Sequence, residues 1–283
     1  MIEEYFEPLG ARGFAHIRDL SDGRGIGVGA DEAVILVSVV KLFIAWEFRT
    51  QVEEGLIDPR TPVKVTAADR LGGTGTAGFR YDAEVAVWDL ARLMMEVSDS
   101  TAADLVASRI GIGALRSLPS RLGLERTRLF GPPRTVLEAV ARDLDVSDLE
   151  ALAHVLASGS VSNAELRATS AWDPMRTNVS TPADLTAFLR HAWHGPAPVA
   201  ADLREWMSRQ LTGRLSRLAP SEVEVFGRTA SLPGWRGEVA VWEWPDGRRH
   251  AIAVFAQFTR DNAREVELAM SRAALALTER LGQ

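Results

Sequence analysis

The pattern of apolar and polar positions divides the chain into strand-like ends and a helical middle. Residues 13–17 alternate as a strand does, and Asp22-Gly23 predicts a hairpin turn into a second strand. The last quarter predicts three further strands and a long amphipathic helix, at 223–226, 239–244, 251–258 and 262–281. We therefore predict an α/β fold of the α+β kind, in which one antiparallel sheet is made from both termini and flanked by helices.

The middle of the chain predicts an inserted all-helical domain. Residues 38–54 carry an apolar stripe at helical spacing and end at Gly55. Further helices are predicted over 88–95, 101–110, 113–122, 135–143 and 147–157. The stretch 158–182 is polar and rich in turns, and Thr181-Pro182-Ala183-Asp184 predicts a helix start. We expect the sheet domain to comprise 1–44 and 190–283, and the helical domain to comprise 45–189.

Composition excludes several kinds of chemistry. The chain has no cysteine, so disulfides, thiolate metal sites and a cysteine nucleophile are excluded. His191 and His194 lie three residues apart, but a zinc site would need further ligands that the sequence does not supply. No histidine lies in a G-x-S-x-G or similar triad motif. We expect neither a metal nor a cofactor, and a general base other than histidine.

Charge and the start of the chain give expectations about partners and location. The net charge is −6 with no extended basic block, which argues against nucleic acid as a partner. The opening Met1-Ile2-Glu3-Glu4 is acidic, unlike a secretory leader, and no apolar run reaches the roughly 18 residues that span a membrane. We expect a cytoplasmic monomer that binds no membrane, or a secreted protein if a leader has been trimmed.

Ser38-Val39-Val40-Lys41 is the segment with the clearest chemical potential. The i, i+3 spacing at a predicted helix start places both side chains on one face. The first helical turn also offers unpaired N–H groups and the positive end of the helix dipole to a developing oxyanion. A serine hydroxyl becomes a nucleophile when a base takes its proton, and a lysine with a lowered pKa can be that base. The alternative is a helix-capping serine beside a surface lysine.

Two later segments complete a pattern. Ser98-Asp99-Ser100 lies between two predicted helices, and Arg228-Thr229-Ala230 lies at a predicted strand end. Each alone is also explained by a helix cap or by a basic hairpin edge. In this order the three segments resemble the S-x-x-K, S-D-N and K-T-G elements of class A β-lactamases and penicillin-binding proteins.

The resemblance extends over most of the chain. The run from Ser98 to Leu105 is similar to the family's S-D-N-T-A-A-N-L, and 178–182 is similar to the turn that ends the family's Ω-loop. Trp206-Met207, Gly213-Arg214-Leu215 and Arg236-Gly237 also occur where the family has such residues. The family's fold is the one predicted above from the order of strands and helices.

The resemblance implies a role for each matching residue. Ser38 would be acylated, Lys41 would accept its proton, and Ser98 would pass that proton to the leaving group. The N–H groups of Ser38 and Ser231 would form the oxyanion hole. Ser100 would contact the substrate side chain, while a substrate carboxylate would bind Arg228, Thr229 and Arg236.

Three departures from the family's pattern qualify these roles. Ala230 adds a methyl group where the family has glycine, which narrows the approach of a bulky β-lactam. Ser100 replaces an asparagine and offers no amide to the substrate. The E-x-x-L-N segment that carries the deacylating base has no clear match. Glu165 falls at a suitable distance before Pro182, and it is either that base or an ordinary exposed helix residue.

These observations support three interpretations of function. The first is a serine hydrolase of the class A β-lactamase type, which acts through a Ser38 acyl-enzyme on a carboxylate-bearing amide or β-lactam. The second is an intracellular esterase, amidase or acyl-transfer enzyme with another small substrate. The third is an acyl-binding protein that deacylates slowly, as the absence of a competent base would indicate.

Overall fold

The computed structural model describes residues 2–282. Its helices are α1 (Glu3–Phe6), α2 (Val40–Glu53), α3 (Val87–Glu96), α4 (Ser100–Ile110), α5 (Ile112–Arg121), α6 (Pro133–Asp143), α7 (Leu149–Ser158), α8 (Asn163–Arg167), α9 (Pro182–His194), α10 (Ala197–Ser208) and α11 (Ala263–Leu281). Its strands are β1 (Ala11–Asp19), β2 (Gly25–Val28), β3 (Val34–Ile35), β4 (Pro62–Val65), β5 (Ala83–Ala86), β6 (Val179–Ser180), β7 (Glu224–Leu232), β8 (Trp235–Glu243) and β9 (Arg249–Phe258).

The chain forms two compact units. The sheet unit comprises the described residues up to 39, together with 122–127 and those from 179 onward. The helical unit comprises 40–121 and 128–178. The domain limits predicted at 44/45 and 189/190 stay a prediction.

The sheet unit is built on one five-stranded antiparallel sheet. Its strand order is β2-β1-β9-β8-β7, so that β1 from the start of the chain pairs with β9 from its end. Helix α11 packs on one face, where apolar side chains including Ile17, Ile252 and Val254 meet Met270. Helix α9 contacts β1 and β9 from the other face, where His16 bonds Thr186. Both faces are covered, which explains the unbroken apolar run of β9 from Ala251 to Ala256.

Helix α9 begins where the sequence predicted it. The Thr181 hydroxyl accepts a hydrogen bond from the N–H of Asp184 at 3.1 Å, and Pro182 occupies the first turn. The cap satisfies one N–H that the helix itself leaves unpaired, and the early acid complements the helix dipole.

The helical unit surrounds α2. Ten consecutive residues of this helix, from Val40 to Arg49, are buried, as expected of a helix packed on all sides. The buried carboxylate of Glu47 pairs with Arg121 of α5 and accepts a hydrogen bond from Gln51. The buried charge of Glu47 is thus compensated inside the unit.

A smaller core forms where α6 and α7 meet, from residues that include Val140 and Leu152.

The predicted fold is confirmed, and the differences from the sequence prediction are local. Strand β7 continues to Leu232 instead of ending near 226, because its polar residues Arg228 and Thr229 are buried and paired with β8. The stretch that was predicted as turns contains the short helix α8. No helix within residues 2–282 combines the length and apolar character needed to cross a membrane.

Candidate active site

Lys41 is the centre of a polar cluster in the helical unit. Its side chain is 1% exposed and lies in the first turn of α2. Its Nζ donates to the Ser98 carbonyl oxygen at 2.5 Å, to the Ser98 Oγ at 3.1 Å and to the Ser100 Oγ at 3.1 Å. The structure thus brings together three residues that the sequence predicted for the site. Because the Ser98 hydroxyl accepts from Lys41, its own proton is directed to a group other than Lys41.

The backbone of the Ser98 segment is held in an unusual conformation. Ser98 has φ +62°, in the left-handed region that a non-glycine residue rarely adopts. The buried carboxylate of Asp99 holds the next turn in place, since it accepts hydrogen bonds from the N–H groups of Ala102 at 2.9 Å and Thr76 at 2.6 Å. Asp99 therefore caps α4 and also fixes the glycine-rich loop that contains Thr76. Such strain at a fixed hydroxyl is common at functional sites.

Ser38 belongs to the sheet unit, in a 3-10 turn over Val37–Val39 that directly precedes α2. Val37 has φ +46°, which is a strained conformation for a β-branched residue. The Ser38 carbonyl oxygen accepts a hydrogen bond from the Arg228 Nε at 3.1 Å, and the Ile35 carbonyl oxygen accepts one from the Trp235 Nε1 at 3.1 Å. These contacts fix the turn that carries the predicted nucleophile.

Strand β7 is an edge strand of the five-stranded sheet and carries the Arg228-Thr229-Ala230 segment. The Thr229 N–H points away from β8 and donates to the Gln210 Oε1 at 2.9 Å. Ladder N–H groups alternate in direction, so the Ser231 N–H points off the same free edge. This direction suits the predicted oxyanion-hole donor. Ala230 is 1% exposed.

Arg228 is a buried cation. Its side chain is 1% exposed, and burial lowers its pKa to about 9. The guanidinium therefore stays charged at neutral pH, although it is removed from water. A buried cation of this kind favours a nearby anion.

A cluster of arginines surrounds Glu267 of α11. Arg214, Arg217 and Arg236 pair with this carboxylate at 2.9, 2.9 and 3.1 Å. Burial acts to raise the pKa of Glu267, but the hydrogen bonds and charges of these arginines outweigh it and hold that pKa below its usual value. Three cations against one carboxylate leave the cluster positive.

Two arginines of this cluster, Arg214 and Arg236, contact different parts of β7 and of the turn that follows it. Arg236 donates to the carbonyl oxygens of Leu232 and Trp235, both at 2.9 Å. Arg214 is 5% exposed and donates to the Ser231 Oγ at 2.7 Å. Arg214 thus touches the predicted oxyanion-hole residue, whereas Arg236 is directed to the β7–β8 turn.

Glu165 occupies a capping box at the start of α8. Its carboxylate accepts hydrogen bonds from the N–H of Ser162 at 2.8 Å and from the Ser162 hydroxyl at 2.6 Å. These bonds lower the pKa of Glu165, and the side chain is exposed. A general base works best with a pKa near the operating pH. The contacts favour the helix-end role of the two that the sequence left open.

Sequence reasoning missed residues that support the strand. Gln210 and Glu267 lie outside the motifs, and nothing in their spacing indicates their contacts with Thr229 and Arg236. Arg214 was noted within Gly213-Arg214-Leu215, but its bond to Ser231 depends on the folded chain. Within residues 2–282, no group of three or more histidine, aspartate or glutamate side chains is arranged to hold a metal ion.

The fold is that of class A β-lactamases. An ancestral (GNCA) class A β-lactamase superposes with a TM-score of 0.79 at 22% identity, covering 99% of this chain and 98% of that one. A mutant of PBP-A, solved as its acyl-enzyme complex with penicillin G, superposes with a TM-score of 0.72 at 17% identity. That superposition covers 98% of this chain and 96% of that one.

The sequence identifies the family. The sequence model of the β-lactamase enzyme family matches residues 2–281, so the chain belongs to this family of penicillin-recognising serine proteins. A curated relative, the β-lactamase regulatory protein BlaB of Streptomyces cacaoi, is 30% identical over 295 residues. That match covers 96% of this chain and 93% of the relative.

Proposed function

We propose that this protein is acylated at Ser38 by a carboxylate-bearing β-lactam or related amide, and that the acyl-enzyme breaks down slowly. The observation that carries the proposal is the triple hydrogen bonding of Lys41 to Ser98 and Ser100. A buried lysine held by two hydroxyl groups is suited to move a proton between alcohols.

The chemistry follows from the roles of these side chains. In its neutral form, which can donate only two of the three hydrogen bonds, Lys41 takes the proton of the Ser38 hydroxyl, whose oxygen then forms a bond to the substrate carbonyl carbon. The N–H groups of Ser38 and Ser231 stabilise the oxyanion of the tetrahedral intermediate. The proton passes from Lys41 through the Ser98 hydroxyl to the leaving nitrogen, the C–N bond breaks, and an ester remains on Ser38.

The cations of the sheet unit supply recognition of the substrate carboxylate. Arg228 is buried beside the Ser38 turn and charged at neutral pH. Thr229 provides a hydroxyl on the same strand. We propose Arg236 as a further contact, made from an arginine cluster in which Glu267 neutralises one of three positive charges.

The proposal of slow deacylation is supported by the contacts of Glu165 and by the description of one relative. A carboxylate that is exposed and engaged by Ser162 is a poor activator of water at an ester. BlaB, which is 30% identical, is described as a regulatory protein. A long-lived acyl-enzyme fits a protein that reports the presence of a β-lactam better than one that destroys it. The competing interpretation is rapid hydrolysis of a β-lactam or of another small ester or amide.

Labelling with a fluorescent penicillin tests the nucleophile. Wild-type protein should retain covalent label after denaturation, and Ser38→Ala should retain none. The matched control is Ser117→Ala, which removes an exposed hydroxyl from α5 and should label as the wild type does. Label on the folded Ser38→Ala variant would contradict the assignment, and peptide mapping would identify the residue that reacts.

A further inference from the structure

The sheet unit contains a cavity that the acylation chemistry does not use. It has a volume of about 250 Å³ and lies between the end of α10, the turn that follows, and strands β7 and β8. Its polar lining includes Ser208, Gln210, Ser216 and Glu238. The space is several times the share of one water molecule in the liquid, so it admits a small organic group.

Glu238 points into this cavity with one carboxyl oxygen unsatisfied. The residue is fully buried, and its Oε2 accepts hydrogen bonds from the N–H groups of Arg214 at 2.6 Å and Leu215 at 3.0 Å. Its Oε1 is buried and has no hydrogen-bond partner among the described residues. A buried carboxyl oxygen without a partner is costly, so it indicates that something else satisfies it.

Gln210 presents an unsatisfied donor to the same cavity. Its Oε1 accepts the hydrogen bond of the Thr229 N–H, which fixes the orientation of the side-chain amide. Its Nε2 is consequently turned toward the cavity, and it is buried with no partner among residues 2–282.

Gly227 lies beside both of these groups and also lines the cavity. A Cβ atom at this position would lie 2.6 Å from the Glu238 Oε1 and 3.8 Å from the Gln210 Nε2. Both unpaired atoms therefore lie close to one point beside β7. An alanine here would collide with the carboxyl oxygen, so the glycine allows the Glu238 carboxylate to lie against the strand.

We propose that this cavity is a second ligand site, distinct from the acylation site, which binds the carboxamide group of a small molecule. The amide N–H of the ligand donates to the Glu238 Oε1, and its carbonyl oxygen accepts from the Gln210 Nε2. An amine would leave the Gln210 donor unpaired, and a carboxylate would meet an ionised Glu238 as a like charge. A carboxamide carries the adjacent donor and acceptor that these two atoms require.

The protonation of Glu238 sets the conditions for binding. Burial raises its pKa to about 7, and the N–H groups of Arg214 and Leu215 with the charges of Arg214 and Arg217 act in the opposite direction. Other charged side chains on the surrounding elements pair with one another, as Arg236 does with Glu267 and Glu205 with Arg209, or lie on β7, as Glu224 and Arg228 do. Above pH 7 the Oε1 is an acceptor, so the amide site is complete at pH 8.

The cavity is linked to strand β7, which carries the Arg228-Thr229-Ala230 segment, through a hydrogen bond of Gln210. Gln210 holds the Thr229 N–H with one atom of its amide and would hold the ligand with the other. Binding at this cavity does not require acylation, since no atom of Ser38 takes part. The Ser38→Ala variant should therefore bind the same ligand, which separates this site from the proposed function.

The test uses three small probes of matched size at pH 8, namely propionamide, propionate and propylamine. Nitrogen-15 NMR of the whole chain follows the side-chain N–H₂ signals of Gln210, assigned by their loss in Gln210→Met. Propionamide should shift these signals in a saturable way, with an affinity about tenfold higher than either charged probe, as hydrogen bonds to a charged group predict.

Glu238→Gln provides the sharpest comparison. In this variant the glutamine oxygen must accept from the N–H groups of Arg214 and Leu215, so the glutamine N–H₂ group points into the cavity. The cavity then contains a donor where the Glu238 Oε1 was an acceptor. The preference should then reverse, with propionate binding more tightly than propionamide. Glu224→Gln makes the same chemical change at an exposed position of β7 outside the cavity and should keep the preference of the wild type.

Two results would overturn the proposal. Absence of any saturable shift with propionamide in folded wild-type protein would mean that the cavity holds water only. Equal affinities for the three probes, or an unchanged order in the Glu238→Gln variant, would show that Glu238 and Gln210 do not select the ligand.

Discussion

Lys41 is one of two lysines in a chain that otherwise uses arginine for its cations. Arginine stays protonated in proteins and cannot accept a proton, whereas a lysine can when its pKa is lowered. The presence of a lysine at this buried position is therefore informative by itself. The structure adds that its three donors meet Ser98 and Ser100.

Lys41→Arg tests whether acylation requires Lys41 as a proton acceptor or only as a positive charge. The substitution keeps the positive charge and removes the proton acceptor, so we expect the acylation rate to fall by about 10²- to 10⁴-fold. Stopped-flow measurement with a chromogenic β-lactam follows this rate. Lys64→Arg is the matched control, since Lys64 is an exposed residue of β4 that pairs with Asp82, and it should react as the wild type does. Equal rates for both variants would remove Lys41 from the reaction.

Glu165→Gln tests whether the capping carboxylate has a catalytic role. We expect the lifetime of the acyl-enzyme to remain unchanged, because the carboxylate is engaged by Ser162 and exposed. The lifetime is measured by the decay of the penicillin adduct in intact-protein mass spectra. Accumulation of an adduct in this variant, beyond the wild-type level, would identify Glu165 as the deacylating base after all.

Single residues were predicted well where a short motif carries the chemistry. Ser98, Ser100 and Lys41 were placed in one site from spacing and resemblance, and the structure joins them. Glu238 and Gln210 could not be predicted, because their importance depends on atoms left without partners after folding. No local pattern encodes an unsatisfied atom.

At the scale of elements, Asp99 links α4 to the loop that contains Thr76. Asp99→Ala should lower the free energy of unfolding by about 2 to 4 kcal/mol, since it removes a helix cap and leaves the buried Thr76 N–H unpaired. Urea denaturation measures the loss. Asp148→Ala removes an exposed cap from α7 and should cost only about 1 kcal/mol. Equal losses would mean that the bond to Thr76 contributes nothing.

Element boundaries show what sequence patterns can and cannot resolve. The start of α9 was predicted because Thr181 and Pro182 are local signals. The length of β7 was underestimated, because buried polar residues such as Arg228 interrupt the apolar alternation on which strand prediction depends. Their burial is explained by partners distant in sequence, including the Ser38 carbonyl oxygen.

At the scale of the whole molecule, two buried titratable groups shape the pH dependence of stability. Burial lowers the pKa of His16 to about 4, so the unfolded chain binds the extra proton and stability falls as the pH decreases below about 6.5. Burial raises the pKa of Glu238 to about 7, so the folded chain binds the extra proton. The stability associated with Glu238 is present below about pH 4.5 and is lost as the pH rises through 7.

Glu238→Gln should remove the loss of stability that wild-type Glu238 causes as the pH rises through 7. Relative to wild type, the free energy of unfolding of the variant should rise by about 2 to 3 kcal/mol between pH 5 and pH 8, because wild-type Glu238 must ionise while buried. Urea denaturation at both pH values gives the difference. Parallel pH profiles for the two proteins would show that Glu238 does not change its proton between these conditions.

The most direct test of the central claim is the time course of the intact protein mass after exposure to penicillin G. We predict a single adduct with the mass of the whole penicillin, absent from Ser38→Ala, that persists after the free penicillin is removed. Absence of an adduct in folded wild-type protein, together with intact penicillin, would contradict acylation at Ser38. Rapid consumption of excess penicillin with no persistent adduct would contradict slow deacylation and identify an efficient hydrolase instead.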